Sequence, residues 1–117
     1  MQGLSKHNSQ SLLNSSRLLI VDGDDYLRSS LRQQFLAEGF HNVFDVGSLT
    51  ELNEALKDAN PDLILLDIQM PGGNGVDTCK RLRSDGYTKP IVMLIAKNAE
   101  SDIYEGLEAG ANDYVIK

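Results

Sequence analysis

A single cysteine, Cys79, leaves this chain without any internal disulfide. Tryptophan is absent, and only three prolines and two histidines occur. Neither a disulfide framework nor a histidine-built metal cluster organises the fold. Basic residues are also in short supply: 11 Lys and Arg face 17 Asp and Glu, for a net charge of -6. That balance excludes direct binding of nucleic acid or an anionic membrane by this piece, because both require a basic surface that displaces counterions. Long apolar runs are missing too. The opening Met1-Gln2-Gly3-Leu4 starts no stretch long enough for a signal peptide or a membrane span, so the cytoplasm is the expected compartment.

What is present is enough for one small domain with a single layered core, since the chain has 117 residues. Residues 1–16 are mostly Ser, Asn, Gln and Lys, with Leu4, Leu12 and Leu13 the only large aliphatic side chains, and are expected to form a flexible tail. From Arg17 onward, short continuous apolar runs alternate with segments of helical period. This is the pattern of a parallel sheet covered on both faces. The runs are Leu18–Val21, Val43–Val46, Leu63–Leu66, Ile91–Ile95 and Tyr114–Ile116.

Between them, Leu27, Leu31 and Phe35 recur every four residues and predict a helix that stops near Gly39. Ser48 and Glu51 form a capping box before the stripe Leu49, Leu52 and Leu56. Val76, Cys79 and Leu82 line a third helix, with Cys79 read as core filler. Ile103 and Leu107 line a fourth, which ends at Ala109-Gly110. The alternation gives an α/β, three-layer αβα fold. A sheet covered on both faces would call for a fifth helix after the last strand, and the sequence reaches Lys117 before it.

The stretch "LLIVDGDD" runs four apolar residues into Asp22, Gly23, Asp24 and Asp25, and "PDLILLDIQMPGGNG" carries a second strand into Asp67. In open parallel sheets, ligands bind beyond the carboxyl ends of the strands where strand order reverses. Strands one and three meet there in one common order, which brings Asp22 and Asp67 together. Two such carboxylates repel unless a cation lies between them, and a hard ion such as Mg²⁺ suits them. Pro71, Gly72, Gly73 and Gly75 predict a tight loop after Asp67, and Lys117 brings an ammonium to the same rim. Carboxylates, a metal and a lysine make a phosphoryl-transfer site with Asp67 as the acceptor.

From Arg17 to Lys117 the chain resembles the receiver domain of two-component response regulators. The resemblance rests on "LLIVDGDD", "PDLILLDIQMPGGNG", "PIVMLIAKNAE" and "GLEAGANDYVIK". It implies a flavodoxin-like fold with strand order 2-1-3-4-5 and the phosphoacceptor at Asp67. It further implies Mg²⁺ held by Asp22, Asp67 and the Gln69 backbone carbonyl, a phosphoryl contact from Lys117, and an aromatic switch at Tyr114. The implied phosphodonor is a sensor histidine kinase or a histidine phosphotransferase, and the implied homodimer or partner surface is the fourth helix with the fifth strand.

Two positions depart from the family. Gly23 stands where the family usually has a second metal-binding acid. Two roles stay open for Asp24: replacing that ligand, or capping the next helix with Asp25. Ile95 replaces the Thr or Ser that bonds a phosphoryl oxygen, a loss of roughly 1.5–3 kcal/mol for a hydrogen bond to a charged group. Both departures favour a second expectation, a pseudo-receiver acting as a phosphorylation-independent interaction module. A third reads "DGD" as the opening of haloacid-dehalogenase-type phosphohydrolases, with Asp22 as nucleophile and Asp24 as acid/base. Tyr26 does not fit that pattern, and it leaves "LLDIQMPGGNG" unexplained.

Overall fold

Alternation inside the apolar runs decides the layering. In the computed structural model, which describes residues 14–70, 73–97 and 99–117, five strands form one parallel sheet. They are β1 (Arg17–Val21), β2 (Asn42–Val46), β3 (Leu63–Asp67), β4 (Ile91–Ile95) and β5 (Asp113–Ile116), in the order β2-β1-β3-β4-β5. Successive side chains on a strand face opposite sides. Leu19, Val21, Ile64, Leu66, Met93 and Ile95 join one buried cluster, whereas Leu18, Ile20, Leu65 and Leu94 join another. Every one of these needs a covered face, which is why the runs are continuous rather than alternating.

Four helices provide the cover: α1 (Asp25–Ala37), α2 (Leu49–Ala59), α3 (Gly75–Ser84) and α4 (Asp102–Glu108). Leu31 and Phe35 of α1 pack on the Leu18 side, where the Phe40 ring meets Phe35 edge-on at 5.5 Å between centroids. Leu49, Leu52 and Leu56 of α2 and Val76, Cys79 and Leu82 of α3 pack on the opposite side. Gly39 ends α1 at φ 111°, a conformation that favours glycine. The capping box before α2 forms with a shifted partner: Ser48 Oγ accepts from Glu51 N at 3.2 Å, while Glu51 Oε2 accepts from Gly47 N at 3.2 Å.

One expected helix face turns out differently. Ile103 packs against the core, but Leu107 is 42% exposed, and Gly106 is the buried residue beside it, with the Met93 side chain 3.3 Å from where a Cβ would stand. The close approach of α4 to β4 at Gly106 sets the helix rotation and carries Leu107 outward. Val115, which shares a face with its register partner Leu94, is 51% exposed. Of the expected tail, residues 1–13 lie outside the described residues, and the Asn14 carbonyl accepts from Asn42 Nδ2 at 3.1 Å.

The opposite rim of the sheet is tied by Arg83. Its guanidinium donates to the carbonyls of Gly110, Tyr87 and Lys89 and to Asn112 Oδ1, at 2.7–2.9 Å. Asn112 Oδ1 also accepts from Ile91 N at 2.9 Å, so the starts of β4 and β5 are fixed together. That fixes the register that places Lys117 at the far end.

Candidate functional site

β1 and β3 are neighbours, with Val21 opposite Leu66, so the next residues, Asp22 and Asp67, come side by side at the carboxyl rim. The chain passes from β1 to β2 on one side and later enters β3 on the other, making this the point of reversal. Both aspartates are buried. Lys117 follows β5, and its backbone N–H donates to the Ile95 carbonyl at 2.7 Å. From that anchor its ammonium lies 3.0 Å from Asp22 Oδ2 and 3.0 Å from Asp67 Oδ2. The Asp22 contact is one of charge, since Asp22 Oδ2 has no aligned hydrogen bond.

The outer carboxylate oxygens are held by backbone. Asp22 Oδ1 accepts from Asp24 N at 2.8 Å, and Asp67 Oδ1 accepts from Gln69 N at 3.2 Å. Burial pushes the Asp67 carboxyl above its ordinary range and the nearby Asp22 charge adds to this, against the opposing pull of Lys117 and the Gln69 N–H. For Lys117 the balance falls the other way: burial lowers it, but the contacts with Asp22 and Asp67 outweigh burial and hold it above its usual value. The result is a desolvated carboxylate beside a fixed cation.

Asp24 is the N-cap of α1, with its Oδ1 accepting from Leu27 N at 3.1 Å. Asp25 pairs with Arg28 at 2.8 Å. Arg28 is a site residue that sequence reading missed. Its Nη1 donates to the Asp22 carbonyl at 2.8 Å and its Nε to Asp45 Oδ1 at 2.9 Å, so one guanidinium joins the β1–α1 loop to β2. Arg32 completes the pairing of Asp45 at 2.8 Å. The available signal was the i, i+3 spacing of Asp25 and Arg28; the Asp45 partner was not readable without the fold.

After Asp67 the chain forms a two-residue antiparallel ladder, Gln69–Met70 with Gly73–Asn74; Pro71 and Gly72, expected in the tight loop, lie outside the described residues. Asn74 caps α3 by accepting from Val76 N at 2.6 Å. Gly75 donates to the Ile68 carbonyl at 2.8 Å, and a Cβ there would overlap the Asp67 carbonyl oxygen. Gly75 is therefore the close-approach glycine that seats α3 against the end of β3.

Ile95 ends β4 at 0% exposure inside the apolar cluster. Tyr114, opposite Met93 on β5, is 39% exposed, and Tyr104 of α4 is 61% exposed. Lys97 is exposed. Cys79 is buried, its thiol pushed up by burial, and is core as expected.

Two buried carboxylates, one of whose oxygens lacks a hydrogen bond, make an oxygen-only donor set suited to a hard cation such as Mg²⁺. Fold and site together define a doubly wound α/β signalling domain with an acidic pocket at its switch point. The chain belongs to the response regulator receiver domain family, whose model matches residues 18–117. It is 44% identical over 101 residues to the DNA-binding response regulator MtrA of Mycobacterium leprae, covering 86% of this chain and 44% of that protein. It is 39% identical over 111 residues to the alkaline phosphatase synthesis transcriptional regulatory protein SphR of Synechococcus elongatus, covering 88% and 43%. The chain thus spans less than half the length of these relatives. Among solved structures, a two-component response regulator from Clostridium difficile superposes with a TM-score of 0.81 at 29% identity, covering 88% of this chain and 84% of that one.

Proposed function

We propose that Asp67 accepts a phosphoryl group from the phosphohistidine of a sensor histidine kinase or a histidine phosphotransferase. A carboxylate oxygen of Asp67 attacks phosphorus, the P–N bond breaks, and the imidazole nitrogen leaves with the electron pair and takes up a proton. Lys117 lies 3.0 Å from that carboxylate and offsets the charge that gathers on the phosphoryl oxygens. Asp22, Asp67 and the Gln69 backbone carbonyl would hold Mg²⁺, which when bound supplies further positive charge to the transferred group. The observation that carries the reading is the Asp22–Lys117–Asp67 cluster at the switch point. The domain works as a signalling unit in the cytoplasm. Its output passes through the α4–β5 face, where Tyr104 and Tyr114 are exposed to a partner or to a second copy of the chain. This domain does not itself contact nucleic acid, because it carries a net charge of -6.

The test is incubation with MgCl₂ and acetyl phosphate followed by intact-mass measurement beside Asp67→Asn. A phosphoryl-sized gain in the unmodified protein alone is expected. No gain from folded protein at saturating donor would instead support the pseudo-receiver reading, which the full burial of Ile95 favours. In that reading the α4–β5 face binds its partner whatever the state of Asp67.

A further inference from the structure

The carboxylate nearest in sequence to the Asp22–Asp67 crevice is turned away from it. Asp24 spends its side chain on the α1 cap and its carbonyl on Arg28 N at 2.9 Å, while its own N–H is fixed on Asp22 Oδ1. Swinging it inward would forfeit the cap. The loop that carries it is itself tied down, because Arg28 clamps it through the Asp22 carbonyl, Asp25 and Asp45. Gly47 makes room for that clamp, since a Cβ there would stand 2.7 Å from Arg28 Nη1. Among the described residues, no three acidic, His or Cys side chains gather into a metal-binding group. The crevice holds two carboxylates already facing one ammonium. A small dication that demands six oxygens is held by so few protein donors when substrate phosphate supplies others.

On the phosphoacceptor reading, we propose that Arg28 and the α1 cap keep Asp24 out of the pocket, so that a phosphoryl oxygen supplies the donor that residue 23 lacks. Asp22 and Asp67 then bind the metal weakly alone and tightly only with the phosphoryl group, which makes the resting pocket depend on Lys117 rather than on the dication. Gly23 is the position that sets this dependence. It is not among the positive-φ glycines of the described residues, so its backbone accepts a side chain.

The test is calorimetric titration of the protein, Gly23→Asp and Asp24→Asn with MgCl₂ alone and with MgCl₂ in the presence of beryllofluoride, a phosphoryl mimic. MgCl₂ alone should bind Gly23→Asp about tenfold or more tighter than the unmodified protein, because ligand charge count sets affinity. Beryllofluoride should tighten MgCl₂ binding to the unmodified protein by at least a similar factor, and Asp24→Asn should change it less than about twofold. Asn also caps helices, so this variant keeps α1 intact. A loss of about tenfold in Asp24→Asn, or equal affinities for the unmodified protein and Gly23→Asp, would overturn the inference and leave the phosphoacceptor reading standing. Uptake of beryllofluoride by Gly23→Asp but not by the unmodified protein at any MgCl₂ concentration would sink both.

Discussion

The Lys117 ammonium stands 3.0 Å from the Asp67 carboxylate, and the same nitrogen is 3.0 Å from Asp22. One cation at the end of the last strand thus holds two buried acids from two other strands. Removing one member of a buried ion cluster leaves the remaining charges unpaired, which costs more than the net worth of the contact. Lys117→Gln should therefore destabilise the fold by about 3 kcal/mol in urea unfolding at pH 7. Adding Asp67→Asn should recover part of that loss, because the amide removes one of the two repelling charges. The Lys117 contribution, from a group held above its usual value, should be complete below the ordinary lysine range and disappear as pH rises through its raised folded value. Equal unfolding midpoints for Lys117→Gln and the unmodified protein would show that the cluster is not coupled to folding.

Ile95 offers a second, opposite pair of effects. It is fully buried in the apolar cluster, so Ile95→Thr places a hydroxyl inside that cluster and should cost about 1–3 kcal/mol of stability. The same hydroxyl stands at the end of β4, beside Lys117 at the rim, where it can donate to a phosphoryl oxygen. A hydrogen bond to a charged group is worth roughly 1.5–3 kcal/mol, so beryllofluoride affinity should rise about ten- to a hundredfold. Lower stability together with tighter mimic binding in one variant separates a site effect from a folding effect. Tighter binding without any stability change, or the reverse, would break that link.

Asp45 gives a pH test. Burial alone would raise its carboxyl, but the hydrogen bonds and charges of Arg32 and Arg28 outweigh burial and hold it below the usual carboxylate range. A depressed folded value means stability that is present above the ordinary aspartate range and lost as pH falls through the folded value. Asp45→Asn should thus cost about 1–2 kcal/mol at pH 7, discounted for the partial exposure of Arg32. The gap between the two proteins should stay constant down to about pH 5 and narrow below it. Urea midpoints taken across that range decide the matter; a gap that widens on acidification would contradict the assignment.

The residues that were legible in the sequence are those whose role follows from a run or a period. Apolar runs marked all five strands, but only the central β1, β3 and β4 are buried on both faces, while the edge strands β2 and β5 leave Phe44, Tyr114 and Val115 exposed. In the central strands β1 and β3 the end of the run marked Asp22 and Asp67. Lys117 was legible by the same logic. Two kinds of feature were not. Arg28 acts through Asp45, 17 residues away, and only the β1–β2 pairing brings them together. Leu107 has the right period for burial, yet the close approach at Gly106 rotates it outward, and no periodicity records how near two backbones come. For Asp24 the sequence left two roles open, and in the structure its side chain caps α1.

Gly75 is the position where that closeness can be measured directly. It follows the short ladder after β3, and a Cβ added to it would run into the Asp67 carbonyl oxygen and stand 2.6 Å from the Ile68 Cα. Both obstacles are backbone, so no side-chain rotation relieves them. The chain must move, and the groups that move carry Asp67 itself and the Gly75 N–H bond to the Ile68 carbonyl. Overpacking of this kind costs about 1–3 kcal/mol, and Gly75→Ala should fall at the upper end because nothing flexible yields. Gly86→Ala is the matched control. It sits at φ 99° with nothing within 4 Å of its added Cβ, so it bears a local backbone cost without displacing the site. Beryllofluoride titration of the two variants should show weakened binding for Gly75→Ala and unchanged binding for Gly86→Ala. If both bind the mimic as the unmodified protein does, the seating of α3 against the end of β3 does not position Asp67.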